Sequence, residues 1–429
     1  MDEAARAELC SRGLGDIFDP ALRESIAVLI DDVRTRGDAA VCDALATFDG
    51  VELSPSQLRV SAEEIESATV APAVDAALDD AIAHCRAFNE QVMARATAWS
   101  FEPEPGLVVG EKIGPIASAG LFVPSGKASY PSVAYQLGVP ATVAGVPQVV
   151  LVVPPIPGGD GAVDPGVLVV CRKLGIGEVF RVNGPAGLAA LAFGTETIPR
   201  VRKVVGPGSP PVTCAQLELQ RHGVATMMVL GPTESLVIAD DSADPVRLAA
   251  DLLIEAEHGT DSTVVLVTTS TDLAAATDAE LARQVADLPT ARADAARSSL
   301  GVNGGCVLVD DLDSAVAVAN RYAPEHLQVA VADADADQIV DALINAGEIL
   351  VGQHTPFSAA NFVIGCPASL PTSGFAEVSS GITVEAFLKR TAVARADEAA
   401  LVRMAPSIVA LADHEGFPAH AAAIRRRVD

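Results

Sequence analysis

Apolar positions in this chain follow two periods. Leu22, Ile26, Leu29 and Ile30 recur at helical spacing before a turn at Arg36-Gly37-Asp38, and a second helical stretch runs from Ala62 towards Met93. From Ile113 the pattern changes to short apolar runs at 121–123, 149–153, 179–182 and 204–205, each separated by a helical spacer. Such runs are the pattern of parallel strands buried on both faces in βαβ units. A Pro/Gly-rich loop at 154–166 interrupts this series without ending it, and a second series follows at 236–239, 264–267, 307–309, 327–331 and 349–351. After Gly352 come Pro356, Pro367 and Pro371 in a loop-rich stretch, then a helical tail from Ala396. The expected class is α/β: a helical N-terminal region (1–112), two parallel-sheet domains in series (113–235 and 236–352), and a loop-rich and helical C-terminal region (353–429).

One predicted helix carries candidate chemistry. Asp244 suits the N-cap, Pro245 the first helical position and Gly259 a left-handed residue after the last turn. Glu255 continues the stripe of Leu248 and Leu252, so it faces inward, with His258 three residues on. A buried carboxylate near a helix C-terminus suffers desolvation and an unfavourable dipole unless a cation sits beside it. A divalent metal or an arginine can each supply that cation, and Glu-x-x-His alone is too short a pattern to decide.

Composition narrows the functions. The 429 residues allow a large core. A net charge of -27 argues against nucleic acid or an anionic membrane as the main partner, and aromatics at 4% leave little material for base stacking. The charged start, Met1-Asp2-Glu3, lacks the apolar centre of a signal peptide, and no apolar run is long enough to span a bilayer, so the expected location is cytoplasmic. Seven cysteines, scattered from Cys10 to Cys366 without Cys-x-x-Cys spacing, suit reduced thiols; a zinc ion here must use nitrogen and oxygen ligands.

Three glycine turns, Pro124-Ser125-Gly126, Gly184-Pro185-Ala186-Gly187 and Gly206-Pro207-Gly208, follow predicted strands, where ligands collect in open α/β sheets, although none forms Gly-x-Gly-x-x-Gly. A further candidate is Tyr322-Ala323-Pro324-Glu325-His326, just before the strand at Leu327. Its adjacent Glu and His offer one group able to take a proton near neutral pH and another able to activate water once desolvated; a solvated capping loop is the simpler alternative.

Taken together, the motifs amount to a resemblance. Gly120-Leu121-Phe122-Val123-Pro124, the stretch from Ala189 to Glu196, Gly206-Pro207-Gly208, Gly231-Pro232-Thr233-Glu234, Ala256-Glu257-His258-Gly259, Tyr322 to Leu327, Leu370-Pro371-Thr372 and Phe387-Leu388-Lys389-Arg390 occur in the order and approximate spacing of the histidinol dehydrogenase family. The resemblance implies two incomplete Rossmann-like domains, an intertwined homodimer with shared sites, one zinc per site, and a double NAD-linked oxidation of an amino alcohol to an acid, with NADP left open. By position it implies zinc ligands Glu255, His258, Asn361 and His420, with Glu415 and His420 coming from the partner subunit. It makes His326 the base that takes the alcohol proton and Glu325 the activator of water, and it places Thr233 with the substrate.

Several positions depart from the family pattern. Gln and Asp in the family are Glu255 and Asn361 here, an exchange that conserves the ligand charge and an oxygen at each place. The family's cofactor-contacting Tyr, Gln and Asn are Phe122, Ala186 and Ser209; its substrate-contacting Ser is Thr233; its Asn-His is Pro367-Ala368. Losing a recognising His matters, because a site built for hydrogen bonds discriminates strongly through them. The expectation is therefore zinc-dependent, nicotinamide-linked oxidation of a polar alcohol that need not be histidinol. The alternatives are authentic histidinol dehydrogenase and, in another class, a zinc hydrolase that has lost its nicotinamide site.

Overall fold

The computed structural model describes residues 19–125, 130–156, 160–227 and 231–428; Met1, Cys10, Gly126 and the 157–159 part of the Pro/Gly-rich loop lie outside them. The N-terminal helices are Pro20–Arg36, Asp38–Ala44, Ala62–Ser67 and Pro72–Arg95. Pro72 divides the second helical stretch, since it suits the start of a helix and removes a donor from an interior.

Strands β1 (Trp99–Glu104) and β2 (Leu107–Pro115) form an antiparallel hairpin that the apolar pattern does not announce. β3 (Ser118–Phe122), β4 (Gln148–Val153), β5 (Glu178–Arg181) and β6 (Lys203–Val205) then pair parallel in the order β5-β4-β3-β6. β7 (Glu234–Ala239), β8 (Thr263–Thr268), β9 (Gly305–Leu308), β10 (His326–Ala330) and β11 (Glu348–Val351) form the second parallel sheet, in the order β11-β10-β7-β8-β9. Eight of the nine fall within two residues of the expected runs at either end, and β3 starts three residues early, at Ser118. The expected two-sheet α/β class is the one observed.

Alternation along each strand sorts the core. Leu121, Leu151 and Val179 face the helices Pro72–Arg95, Pro131–Val143 and Pro165–Leu174, whereas Phe122, Val150, Val152 and Phe180 face Pro20–Arg36, Gly184–Phe193 and Pro210–Gln220. In the second sheet Leu236, Ile238, Leu327 and Val329 pack on Leu312–Tyr322 and Asp333–Ala342. Val237, Ala239, Ala330 and Leu350 pack on Pro245–Ala256 and Phe357–Phe362.

β12 (Leu388–Ala396) runs antiparallel to β2 and closes a three-stranded sheet, β1-β2-β12. It leads into helices Glu398–His414 and Pro418–Val428, which form an arm whose residues are mostly exposed. Among the described residues no helix is long and apolar enough to cross a membrane.

Candidate active site

The helix Pro245–Ala256 begins as its sequence dictates, with the Asp244 carboxylate accepting from Val246 N at 2.8 Å and Pro245 in the first turn. Its end differs from expectation. The helix stops at Ala256, Glu257 caps it in right-handed conformation, and Gly259 is not left-handed. His258 N instead bonds Glu255 O at 3.3 Å, and Arg292 Nη1 donates to Glu257 O at 2.8 Å, so a tight turn and a guanidinium satisfy the last carbonyls in place of a glycine cap.

Glu255 is 1% exposed. Asn361 Nδ2 donates to its Oε1 at 2.7 Å, and His258 Nδ1 lies 3.4 Å from its Oε2. Among the described residues no arginine pairs with Glu255. His258 Nδ1 also lies 3.0 Å from Ile254 O. A ring nitrogen facing a carbonyl carries its proton there, so Nε2 keeps the lone pair, the tautomer preferred in metal-binding imidazoles. Asn361 is held from behind: Gln136 Nε2 donates to its backbone oxygen at 2.8 Å, and Tyr135 Oη donates to Phe362 O at 2.6 Å. A carboxylate, an imidazole and an amide lie together here, with the amide presenting Nδ2 to Glu255 and His258 half exposed. That set suits zinc with a position left open. Among the described residues no group of three or more His, Cys, Asp or Glu assembles, because the third donor here is an amide.

Beside it lies the Glu-His pair, at the amino end of β10 rather than at a carboxyl end. Ala323 adopts φ 49, ends the helix Leu312–Tyr322 and turns the chain into Pro324. Glu325 Oε2 accepts from Glu234 N at 3.1 Å, and its Oε1 sits 3.8 Å from His326 Nε2. His326 Nδ1 meets Glu348 Oε1 at 2.5 Å, and the Phe357 ring packs edge-on against the imidazole with centroids 5.8 Å apart. Burial pushes the Glu325 carboxyl up to about 8, aided by the charges of Glu255 and Glu234 and opposed by His326. Burial disfavours the His326 cation, yet Glu255, Glu325 and Glu348 outweigh it and raise the imidazole to about 10.

Sheet register explains the convergence. Ser235, His326 and Glu348 are side by side across β7, β10 and β11, with Gln328 two residues on and on the same face. Gln328 Nε2 donates to Asp251 Oδ2 at 2.8 Å, so the helix places Asp251 over Gln328 and Glu255 near His326. Glu348, Asp251, Gln328 and Phe357 were not singled out from the sequence. Glu348 carried one legible signal, a carboxylate at the head of an otherwise apolar run.

Of the remaining sequence candidates, Thr233 adjoins Glu234, whose backbone N–H bonds Glu325, and the others lie elsewhere. Thr233 is half-buried, and its backbone oxygen accepts from Thr263 N at 3.0 Å. Phe122 and Ala186 are buried in the core beneath the first sheet and present no polar side-chain atom, while Ser209 is exposed at the start of Pro210–Gln220. Pro210 and Pro211 lack N–H groups, and Val212 N and Thr213 N both bond Ser209 O, so this helix end offers no phosphate cradle. Gly206, at φ 148, is glycine for a packing reason: a Cβ there would lie 2.2 Å from Phe122 O. The switch point between β3 and β6 is thus closed by backbone packing, and Gln216 Nε2 donates to Gly206 O there at 2.8 Å. Glu415 and His420 are exposed on the arm, where His420 packs against Phe417 at 5.2 Å between ring centroids.

Comparison with known proteins identifies the family. A family model described as histidinol dehydrogenase matches residues 16–428. The histidinol dehydrogenase of Methanosarcina barkeri is 39% identical over 429 residues, covering 100% of this chain and 96% of that protein. That of Synechocystis is 42% identical over 403 residues, covering 93% and 91%. The crystal structure of histidinol dehydrogenase from Elizabethkingia anophelis superposes with a TM-score of 0.93 at 30% identity, covering 100% of this chain and 96% of that one. The chain belongs to the histidinol dehydrogenase family.

Proposed function

We propose that this oxidoreductase converts L-histidinol through the aldehyde to the acid, using zinc and a nicotinamide nucleotide. The observation that carries the proposal is the buried Glu325-His326 pair beside Glu255, His258 and Asn361, in a chain whose relatives at about 40% identity over its length bear the histidinol dehydrogenase name. Glu255, His258 Nε2 and the Asn361 oxygen would hold zinc, which supplies positive charge for the substrate's hydroxyl and amino groups. A nicotinamide nucleotide would supply the hydride acceptor, at the β3–β6 switch point beside the exposed Ser209 hydroxyl.

The chain's own groups handle the protons. His326 Nε2 takes the hydroxyl proton of the alcohol while Nδ1 stays bonded to Glu348. Glu325, ionised as pH rises through about 8, takes a proton from the water that adds at the aldehyde stage. Turnover rises with pH, because the raised His326 must lose its proton to act as a base. A homodimer completes the site in this reading, with exposed Glu415 and His420 of each arm serving the other subunit.

Thr233 and the half-buried Pro367-Ala368 pair favour a second reading, in which a different polar amino alcohol replaces histidinol. Titration with NAD and NADP, followed by turnover of L-histidinol, L-histidinal and simpler amino alcohols, separates the two. Turnover of L-histidinol with formation of reduced nucleotide supports the first reading. Turnover restricted to another amino alcohol supports the second. Cofactor-independent cleavage of an ester or amide, with no nucleotide binding, would replace both with a zinc hydrolase.

A further inference from the structure

Glu348 opens the edge strand β11 with a side chain only 5% exposed. Its Oε1 lies 2.5 Å from His326 Nδ1, and its Oε2 has no hydrogen-bond partner among the described residues. No lysine or arginine pairs with it among them either. As a purely structural residue this is a poor choice. A carboxylate buried with one oxygen unsatisfied destabilises a strand that an apolar side chain would suit better. The position makes sense only through its single partner.

We propose that Glu348 is the positioning residue of His326, accepting the Nδ1 proton so that Nε2 is fixed as the proton acceptor facing Glu325 and the substrate. The proposal rests on the reading above for the role of His326, but its geometry stands independently. Register delivers it: His326 and Glu348 are direct neighbours on β10 and β11, so their side chains leave the sheet on the same face. Phe357 closes the ring's other side, leaving rotation about the imidazole axis as the freedom that Glu348 removes. The charged groups facing His326 are Glu255, Glu325 and Glu348; near Glu348 lies the Cys366 thiol, which burial and then the Glu348 charge raise. The Glu348 carboxylate neither gains nor loses a bond during turnover. The proton passes from the substrate oxygen to Nε2, and the Nδ1–H stays in place.

The experiment uses full-length protein with 15N-labelled histidine, the His326 signals being assigned by their loss in His326→Asn. The parent should show a protonated Nδ1 with a far-downfield, slowly exchanging proton, and Glu348→Gln should lose that proton signal. With L-histidinol and NAD, Glu348→Gln should lower kcat by about ten- to hundredfold, as lost outer-shell orientation of an imidazole does, while leaving KM nearly unchanged. The rising limb of its pH–activity profile should move to lower pH, because a charge that held the His326 proton is gone. Glu348→Leu separates positioning from structure: it should keep or raise Tm yet be as impaired as Glu348→Gln. Unchanged His326 nitrogen and proton signals in Glu348→Gln overturn the proposal, as does a fall in Tm for Glu348→Leu that accounts for its lost turnover. A parent that shows the Nδ1 signal and loses it in Glu348→Gln, but oxidises no alcohol, upholds the positioning of His326 and removes the dehydrogenase reading instead.

Discussion

Glu325 and His326 are buried 3.8 Å apart, and their protons are worth stability as well as catalysis. Glu325 titrates at about 8 in the fold against 4.5 free, so the folded protein holds a proton that the unfolded chain has lost across that window. His326 titrates at about 10 against 6.5, so its contribution is complete below pH 6.5 and is lost as pH rises through 10. Both effects carry one sign. Metal-free protein should lose stability between pH 6 and pH 10, by on the order of a few kcal/mol. Thermal unfolding in chelator at pH 6, 8 and 10 measures it, and Glu325→Gln should flatten the lower part of that fall. A stability that rises from pH 7 to 9 would contradict the raised titrations. These two residues were legible in the sequence because they are adjacent and follow a proline. Glu348 and Phe357 were not, since only strand register and a later helix bring them to the imidazole.

An element-level match keeps the site in place. Residues four apart on a helix rise about 6 Å, and residues two apart on a strand rise about 6.6 Å. Asp251 and Glu255 on Pro245–Ala256 can therefore stand over Gln328 and His326 without strain. β11 is pinned to the same segment by two backbone bonds, Gly347 N to Pro324 O at 2.9 Å and Glu348 N to Glu325 O at 3.1 Å. Gly347 must be glycine, because a Cβ there would fall 2.4 Å from Glu325 O. Gly347→Ala should cost about 1–3 kcal/mol as an overpacked contact, and it should also speed amide exchange at Glu348. Gly177→Ala is the control: a Cβ there meets nothing within 4 Å, so its Tm should hold or rise. Equal Tm values for the two variants would mean that β11 tolerates displacement. The parallel strands were legible because each is a short apolar run between helices. The β1-β2-β12 sheet was not, since β12 is exposed along nearly its whole length and has no buried face to pattern. The end of Pro245–Ala256 also escaped the sequence, because Arg292, 35 residues from Glu257, took the role expected of Gly259.

At the scale of the whole molecule the arm is the unresolved balance. β12 and its two helices leave Val393, Leu411 and Phe417 exposed, and Trp99 and Phe101 are exposed on the sheet that the arm extends. Apolar side chains held out on an extended arm are expected to be covered by another surface. Meanwhile Glu255, His258 and Asn361 lie together without a fourth His, Cys, Asp or Glu donor among the described residues, and His420 sits on the arm beside Phe417. A second copy of the chain answers both deficits in the proposed homodimer, since an arm reaching across buries its apolar face and delivers Glu415 and His420. The sequence carried the residues of this exchange but not its geometry, because nothing in local periodicity distinguishes a tail folded home from one extended to a partner. Complementation decides between them. In a heterodimer of His258→Ala and His420→Ala chains, a shared arrangement leaves one site with both histidines intact and the other with neither. An arm serving its own subunit leaves each site lacking one histidine. Sharing therefore predicts recovery of one working site and one tightly bound zinc per heterodimer, from two parents that are each inactive and zinc-poor. A purified heterodimer with neither activity nor zinc above its parents would place His420 in its own subunit's site or outside the site altogether.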